Sequence, residues 1–351
     1  MSDWERLRRL PLRIESWDCV LLRSRVSSGF ERLSTMIILR GGGQEGRGED
    51  VTYAAEDHEA LATQRPALGL AGAWSLQDFS THLADCDLYP QPPVRDEQRP
   101  YRRWAFESAA LDLALRQAQR SLPEVLERTP APLHFVVSLR LGDPPSFEPL
   151  RRRLERYPDL TFKLDPTSAW TDELIARVAA TGAVRILDFK GHYRGTPVDQ
   201  PADPDLYARV IEAFPDAWLE DPALTPETRA VLAGHWDRVT WDAPIHGVAD
   251  LEALEHTPRC INIKPSRFGS LSSLLETYAW CEARGVRCYG GGQFELDVGR
   301  GQSQLLAALY HPDAPNDLAP VGYNRPEPAP GLPSSPLPPP RLAAGFRWPE
   351  T

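Results

Sequence analysis

The chain has 351 residues, 42% of them apolar and 25% charged, which is the balance of a folded globular protein with room for a large core and a second, smaller domain. A net charge of −10 without any dense block of Lys and Arg argues against nucleic acid as a partner. No apolar run approaches a membrane span, the first ten residues lack the apolar core of a signal peptide, and the five cysteines show no metal or redox spacing, so the reading is a cytoplasmic protein with reduced thiols.

Taken in chain order, residues 12–25 and 32–40 are strand-like, and the Gly-rich stretch 41–50 (GGGQEGRGED) suits a hairpin or flexible loop. After a Pro-rich break, residues 104–119 (WAFESAALDLALRQAQ) place Phe106, Ala109, Ala110, Leu113 and Ala114 at helical spacing, so this helix needs a partner surface. From residue 133 short apolar runs alternate with helical segments, the pattern of consecutive βα units around a parallel sheet. The predicted strands are 134–139, 160–164, 184–189, 217–219, 238–241, 260–263 and 286–289, with crossover helices that include 171–180, 205–213, 226–233 and 271–284. Their spacing fits a barrel better than an open sheet. Residues 325–340 (RPEPAPGLPSSPLPPP) form a Pro-rich, largely extended tail that either wraps the surface or stays mobile.

Charged residues punctuate the strand ends: FKLD (Lys163, Asp165), ILDFK (Asp188, Lys190), WLEDP (Glu220, Asp221), TWDAP (Asp242) and NIKPS (Lys264). A parallel barrel brings all of these carboxyl ends to one mouth. Acids on successive strands repel unless a cation lies between them, and an all-oxygen set suits a hard ion such as Mg²⁺, with Asp188, Glu220 and Asp242 as the predicted ligands. Lys264, one βα unit beyond Asp242, is the predicted general base, faced by Lys163 across the barrel. Any single strand-end acid serves equally well as the N-cap of the next helix; the register of the whole set is what points to a site. Asp221 and Asp237 read as structural or surface residues. In the last predicted unit, YGGGQFELDVGRGQSQ carries Gln293 and Glu295 at a Gly-rich end, with Arg300 following.

At these residues the sequence resembles the enolase superfamily, in its mandelate racemase and muconate lactonizing enzyme branch. The helix at 104–119 is similar to the segment joining the family's capping domain to its barrel, and RGGGQEGRGED is similar to its G-x-G-E capping-domain loop. The order Asp188, Glu220, Asp242, then Lys264 in NIKPSRFGSL follows the family's order of metal ligands and base. The resemblance implies an α/β chain with a modified TIM barrel, (β/α)7β, over residues 130–320. It also implies an N-terminal α+β capping domain over 1–125, on which a tail at 321–351 packs. It further implies Mg²⁺, a small carboxylic-acid substrate, and abstraction of the proton α to the carboxylate to give a metal-stabilised enolate, followed by elimination or isomerisation. Catalytic candidates are Lys264, Lys163, Lys190 and Asp165; substrate-binding candidates are His246, Ser266, Gln293 and Glu295; and the family's habits admit a homo-oligomer.

The sequence departs from the branch pattern at two places. Where the second barrel strand usually carries K-x-K, this chain has Lys163-Leu164-Asp165, which counts against two-base racemisation. Where the first ligand is usually followed by D-x-N, Asp188-Phe189-Lys190 supplies a lysine that either restores the missing cation or serves as another base. A second alignment pairs Asp165 with the first ligand, at the expense of hiding a whole strand before Glu220. A metal-dependent hydrolase is disfavoured because the 8 histidines form no H-x-H or H-x-x-x-H pair. The alternative from another class is a catalytically silent barrel that binds a metal or a small acid without turnover. Substrate choice in this fold is expected to lie in capping loops near residues 27–30 and 41–50, the latter expected to be mobile over the mouth.

Overall fold

A computed structural model of the chain describes residues 1–26, 30–196, 198–339 and 341–348. Residues 27–29 of the expected specificity loop lie outside that set. The N-terminal unit contains β1 (Pro11–Ile14), β2 (Ser16–Arg25), β3 (Glu31–Gly41), β4 (Gln44–Asp50) and β5 (Gly72–Ser75). β2, β3 and β4 form an antiparallel meander, and β1 pairs with β5. β3 is rich in branched apolar side chains and is buried along almost its whole length. Over the meander lies the helix Arg99–Gln117, which starts on a proline in its first turn and buries the predicted apolar stripe Phe106, Ala109, Ala110, Leu113 and Ala114.

Residues 41–50 correct the expectation of a mobile loop. Only Gly42 and Gly43 turn, and both have positive φ; Gln44–Asp50 is strand β4, in register with β3 from Gly41↔Gln44 to Thr35↔Asp50. Its glycines serve close packing rather than mobility. A Cβ on Gly46 would lie 2.3 Å from Ala109 O, and one on Gly48 would lie 2.0 Å from Ala105 O, so the helix reaches the sheet only because both side chains are missing.

The second unit is a parallel barrel: β6 (Val137–Leu139), β7 (Phe162–Leu164), β8 (Val184–Asp188), β9 (Trp218–Glu220), β10 (Val239–Thr240), β11 (Cys260–Ile263) and β12 (Arg287–Gly290). Each falls within or beside a predicted strand. β6 to β10 are hydrogen-bonded side by side in chain order, β11 pairs with β12, and Asn262 N donates to Trp241 O (3.0 Å) to join the two sets. The ring closes through an eighth, two-residue position absent from the strand predictions. Val136 N donates to Asn316 O (2.7 Å), Asp317 N to Gly290 O (2.8 Å), and Gly292 N to Asp317 O (3.0 Å). Asn316 is the staple of that closure: its side-chain oxygen accepts from Gly290 N (2.6 Å) and its amide donates to His134 O (2.9 Å). Inside the barrel, Val136, Ile186, Cys260 and Tyr289 form a buried apolar layer beneath the mouth.

The Pro-rich tail is pinned. Leu133 and Leu337 exchange two backbone hydrogen bonds of 2.8 Å, and Arg156 donates to Pro328 O (2.7 Å), so this part of the tail lies on the barrel rather than on the cap. Farther on, the tail crosses to the helix Arg99–Gln117, where Phe346 is fully buried and Arg347 grips Asp112. No helix of the described residues is long and apolar enough to cross a membrane.

Candidate active site

The two-residue period of a strand decides which side chains meet in the barrel. Lys163 is paired in register with Ile186, and Asp188 with Glu220, so positions 163, 186, 188 and 220 share the inward face. Cys260, Asn262 and Lys264 continue that face from β11, with Tyr289 in register with Asn262. All of the polar members are buried, because the cap closes over the mouth. Arg32 of β3 donates to Gln293 O (3.2 Å), and Phe30 meets Phe294 edge-to-face at 5.8 Å. From β4, Glu49 accepts from Leu296 N (2.6 Å), Asp297 N (3.0 Å) and Gly299 N (3.0 Å), placing a carboxylate at the N-terminus of the helix Val298–Tyr310.

Lys163 is 1% exposed and donates to Glu220 Oε1 (2.5 Å), with Asp188 Oδ2 at 3.0 Å. Burial opposes its charge, but Asp188 and Glu220 more than compensate and hold the ammonium form far above the usual lysine range. Glu220 also accepts from Asn262 Nδ2 (3.2 Å) and Tyr289 OH (2.6 Å). Burial is the main force on Glu220; with Asp188 and Asp242 nearby it prevails over the pull of Lys163, and the carboxyl is pushed up to about 8. Asp188 goes the other way: against the cost of burial, Lys163 and Lys190 hold it below the usual carboxylate range.

Asp188, Glu220 and Asp221 offer carboxylate oxygens that all lie within 4.8 Å of one another. Asp221, with φ of 47°, uses both oxygens on backbone, accepting from Asp242 N (2.8 Å) and Ala243 N (2.9 Å). Burial and the Asp242 charge push it up to about 7, and its bonds fit the structural role expected of it. Asp242 is fully buried beside this group. Its Oδ2 accepts from Lys264 Nζ (2.7 Å) and Tyr193 OH (3.0 Å), and its Oδ1 lies 3.1 Å from Arg267 Nε without hydrogen-bond geometry. Burial disfavours its charge, yet Arg267 and Lys264 hold it far below the carboxylate range.

The remaining predicted residues divide. Gln293 Nε2 donates to Ser266 Oγ (2.9 Å), and Glu295 Oε1 accepts from Gln293 N (2.8 Å) while Arg300 lies 2.9 Å from its other oxygen, so these four form one group beside Lys264. His246 is exposed and its ring faces Asp250 (3.8 Å). Asp237 is half-exposed and faces Arg259. Asp165 accepts from Arg140 Nε (2.9 Å) and lies 3.7 Å from Lys190 Nζ, and Lys190 in turn bonds Asp188 Oδ2. Sequence reasoning missed Asn262, Tyr289, Tyr193, Arg267 and Asp317 as members of the site, the last with its Oδ2 3.8 Å from Lys163 Nζ. Asn262 had a signal, since it precedes Lys264 by two on an otherwise apolar strand; Asp317 had none without the eighth strand.

The donor set suits a hard divalent cation. It consists of carboxylate oxygens: those of Asp188, Glu220 and Asp221 converge, whereas the predicted third ligand, Asp242, stands outside that set, with its Oδ1 buried and without a hydrogen bond among the described residues.

Comparison with known proteins bears on this arrangement. The family described as "Domain of unknown function (DUF8230) C-terminal domain" matches residues 129–325, and its N-terminal counterpart matches 5–125. The chain is 25% identical over 324 residues to an o-succinylbenzoate synthase of Escherichia coli, covering 86% of this chain and 87% of that one. It is 25% identical over 342 residues to an N-succinylamino acid racemase of Thermus thermophilus, covering 85% and 81%. Among solved structures, a dipeptide epimerase from Enterococcus faecalis superposes with a TM-score of 0.69 at 17% identity, covering 96% of this chain and 99% of that one. Muconate lactonizing enzyme from Pseudomonas putida gives 0.67 at 17% identity, covering 95% and 96%. These relatives are enolase-superfamily members named as enzymes, and their fold is a capping domain on a modified parallel barrel.

Proposed function

The chain belongs to the DUF8230 family and has the fold of the enolase superfamily, and from that premise we propose that it abstracts the proton α to a carboxylate of a small acid. The observation that carries the reading is the placement of two lysines, Lys163 and Lys264, on opposite sides of one buried group of acids. Asp188 and Glu220, with Asp242 as third, are the residues that would hold Mg²⁺. The ion, when bound, supplies charge neutralisation for the carboxylate oxygens of the substrate.

Lys264, in its free amine form, takes the proton from the α-carbon and becomes the ammonium ion, while the C–H electron pair moves into the carboxylate. Lys163, kept as an ammonium ion by Asp188 and Glu220, faces the negative charge that then develops. The closed cap excludes water, which strengthens both interactions. Loss of a β-leaving group completes an elimination, and return of the proton to a different carbon conjugated with the enolate completes an isomerisation. Asp165, in the place where the branch usually has its second lysine, favours elimination or one-base isomerisation over racemisation. Ser266, Gln293, Glu295 and His246 are the proposed substrate contacts.

The test is exchange of α-protons with D₂O, followed by proton NMR. N-succinylamino acids, dipeptides and β-hydroxy carboxylic acids serve as a panel, with Mg²⁺ or with EDTA. Wild type should show Mg²⁺-dependent loss of the α-proton signal for at least one compound, and Lys264→Ala should lose it by several orders of magnitude while remaining folded. No exchange by Mg²⁺-loaded wild type with any compound would turn the reading toward a silent, acid-binding barrel.

A further inference from the structure

The two departures from the branch pattern, Asp165 and Lys190, meet in space. Lys190 lies in the left-handed region, with φ of 56°, an unfavourable conformation for a lysine. That turn folds the side chain back over its own strand end, so that the backbone N of Lys190 donates to Asp188 Oδ1 (3.1 Å) and its Nζ bonds Asp188 Oδ2. Asp188 Oδ2 therefore carries two ammonium groups, since Lys163 Nζ is 3.0 Å from it. The three predicted ligands are each met by cations of the chain itself: Asp188 by Lys163 and Lys190, Glu220 by Lys163, and Asp242 by Lys264 and Arg267.

A second observation shows where Lys190 can go. Asp165 is 8% exposed; Arg140 holds its Oδ2 at 2.9 Å, while its Oδ1 is buried, makes no hydrogen bond among the described residues, and lies 3.7 Å from Lys190 Nζ. An unpaired carboxylate oxygen at that depth is costly unless a donor reaches it in some state of the protein. Asp165 Oδ1 is thus a second acceptor within 3.7 Å of Lys190 Nζ.

Resting on the metal site proposed above, we propose that Lys190 is a resident counter-cation of Asp188 that a divalent ion displaces, and that Asp165 Oδ1 receives the displaced ammonium. The exchange of residue types between the two strands then has one cause. A lysine moved to the third strand can neutralise the first ligand, and an acid on the second strand is its alternative partner. Metal affinity is set by this handover, because an ion binds fully only to the fraction of molecules in which Asp188 is free.

The experiment is calorimetric titration of Mn²⁺ into the full chain after chelation, for wild type, Lys190→Asn, Asp165→Asn and the double variant, with Lys190→Met in parallel should the Asn variant fail to fold. Lys190→Asn should bind Mn²⁺ at least about tenfold tighter, Asp165→Asn about tenfold weaker, and Asp165→Asn in the Lys190→Asn background should change affinity by less than about threefold. A Lys190→Asn affinity equal to or weaker than wild type overturns the proposal and leaves the metal site standing. Equal weakening by Asp165→Asn in both backgrounds also overturns it, since the effect is then only long-range charge. If no variant binds Mn²⁺, the metal-site reading fails and the proposal with it.

Discussion

At the scale of single residues, burial makes the proposed ligands sensitive to conservative change. Glu220 is fully buried and shares its two oxygens among Lys163, Asn262 and Tyr289. Glu220→Gln keeps the size and one acceptor, so the barrel should still fold, but it removes a charge from the oxygen set. Mg²⁺ affinity measured by calorimetry should fall by well over tenfold, roughly the effect of losing one charged ligand. An unchanged affinity would remove Glu220 from the ligand set. The lysines were legible in the sequence as strand-end residues, yet their partners were not. That Lys264 reaches Asp242 and Lys163 reaches Glu220 depends on which strands become neighbours around the ring.

At the scale of elements, the eighth position deserves its own test because it is so short. His311 ends the helix Val298–Tyr310 and is buried; its Nδ1 bonds Asn316 Oδ1 (2.7 Å) and its Nε2 bonds Tyr278 OH (3.0 Å). Asn316 spends its amide on carbonyls, which leaves His311 Nδ1 as the donor and Nε2 as the acceptor, so the ring is neutral. Burial pushes its pKa down to about 4. A histidine depressed in the folded state contributes stability that is complete above the unfolded value near 6.5, and that stability is lost as pH falls toward 4. A shift of this size corresponds to about 3 kcal/mol. Denaturant unfolding at pH 7 and pH 4.5 should therefore show wild type losing more stability than His311→Gln, by about 2 kcal/mol or more. Equal losses would mean that His311 titrates normally. The sequence hid this element because two residues carry no period, and a turn-rich run such as HPDAPNDLAP gives no strand signal. Strand β4 was missed for a different reason: its glycines read as loop residues, although they are spaces into which a helix packs.

Across the whole molecule, the end of the tail is tied to the cap. Asp112 accepts from Phe346 N (2.8 Å), Arg347 Nη2 (2.5 Å), Arg116 Nε (3.0 Å) and Arg47 N (3.0 Å), joining the tail, the helix Arg99–Gln117 and β4. Phe346, fully buried against Trp104, is the apolar anchor of this knot. Phe346→Ala should cost about 3 kcal/mol or more, as for other large core truncations, whereas Leu342→Ala, at a side chain 50% exposed, should be nearly neutral. Equal unfolding midpoints for these two variants would show that the tail contributes no core.

By itself the sequence determined the strand order, the strand-end acids and lysines, and the amphipathic helix. Each is written in local periodicity, and the parallel connections oblige those strand ends to share one mouth. The tertiary structure alone decided which acid meets which cation, where the ring closes, and that a proline-rich tail becomes part of the core. Those outcomes depend on contacts between residues on different elements, from 22 positions apart for Lys264 with Asp242 to 247 for Glu49 with Leu296, for which a chain read in order carries no periodic signal.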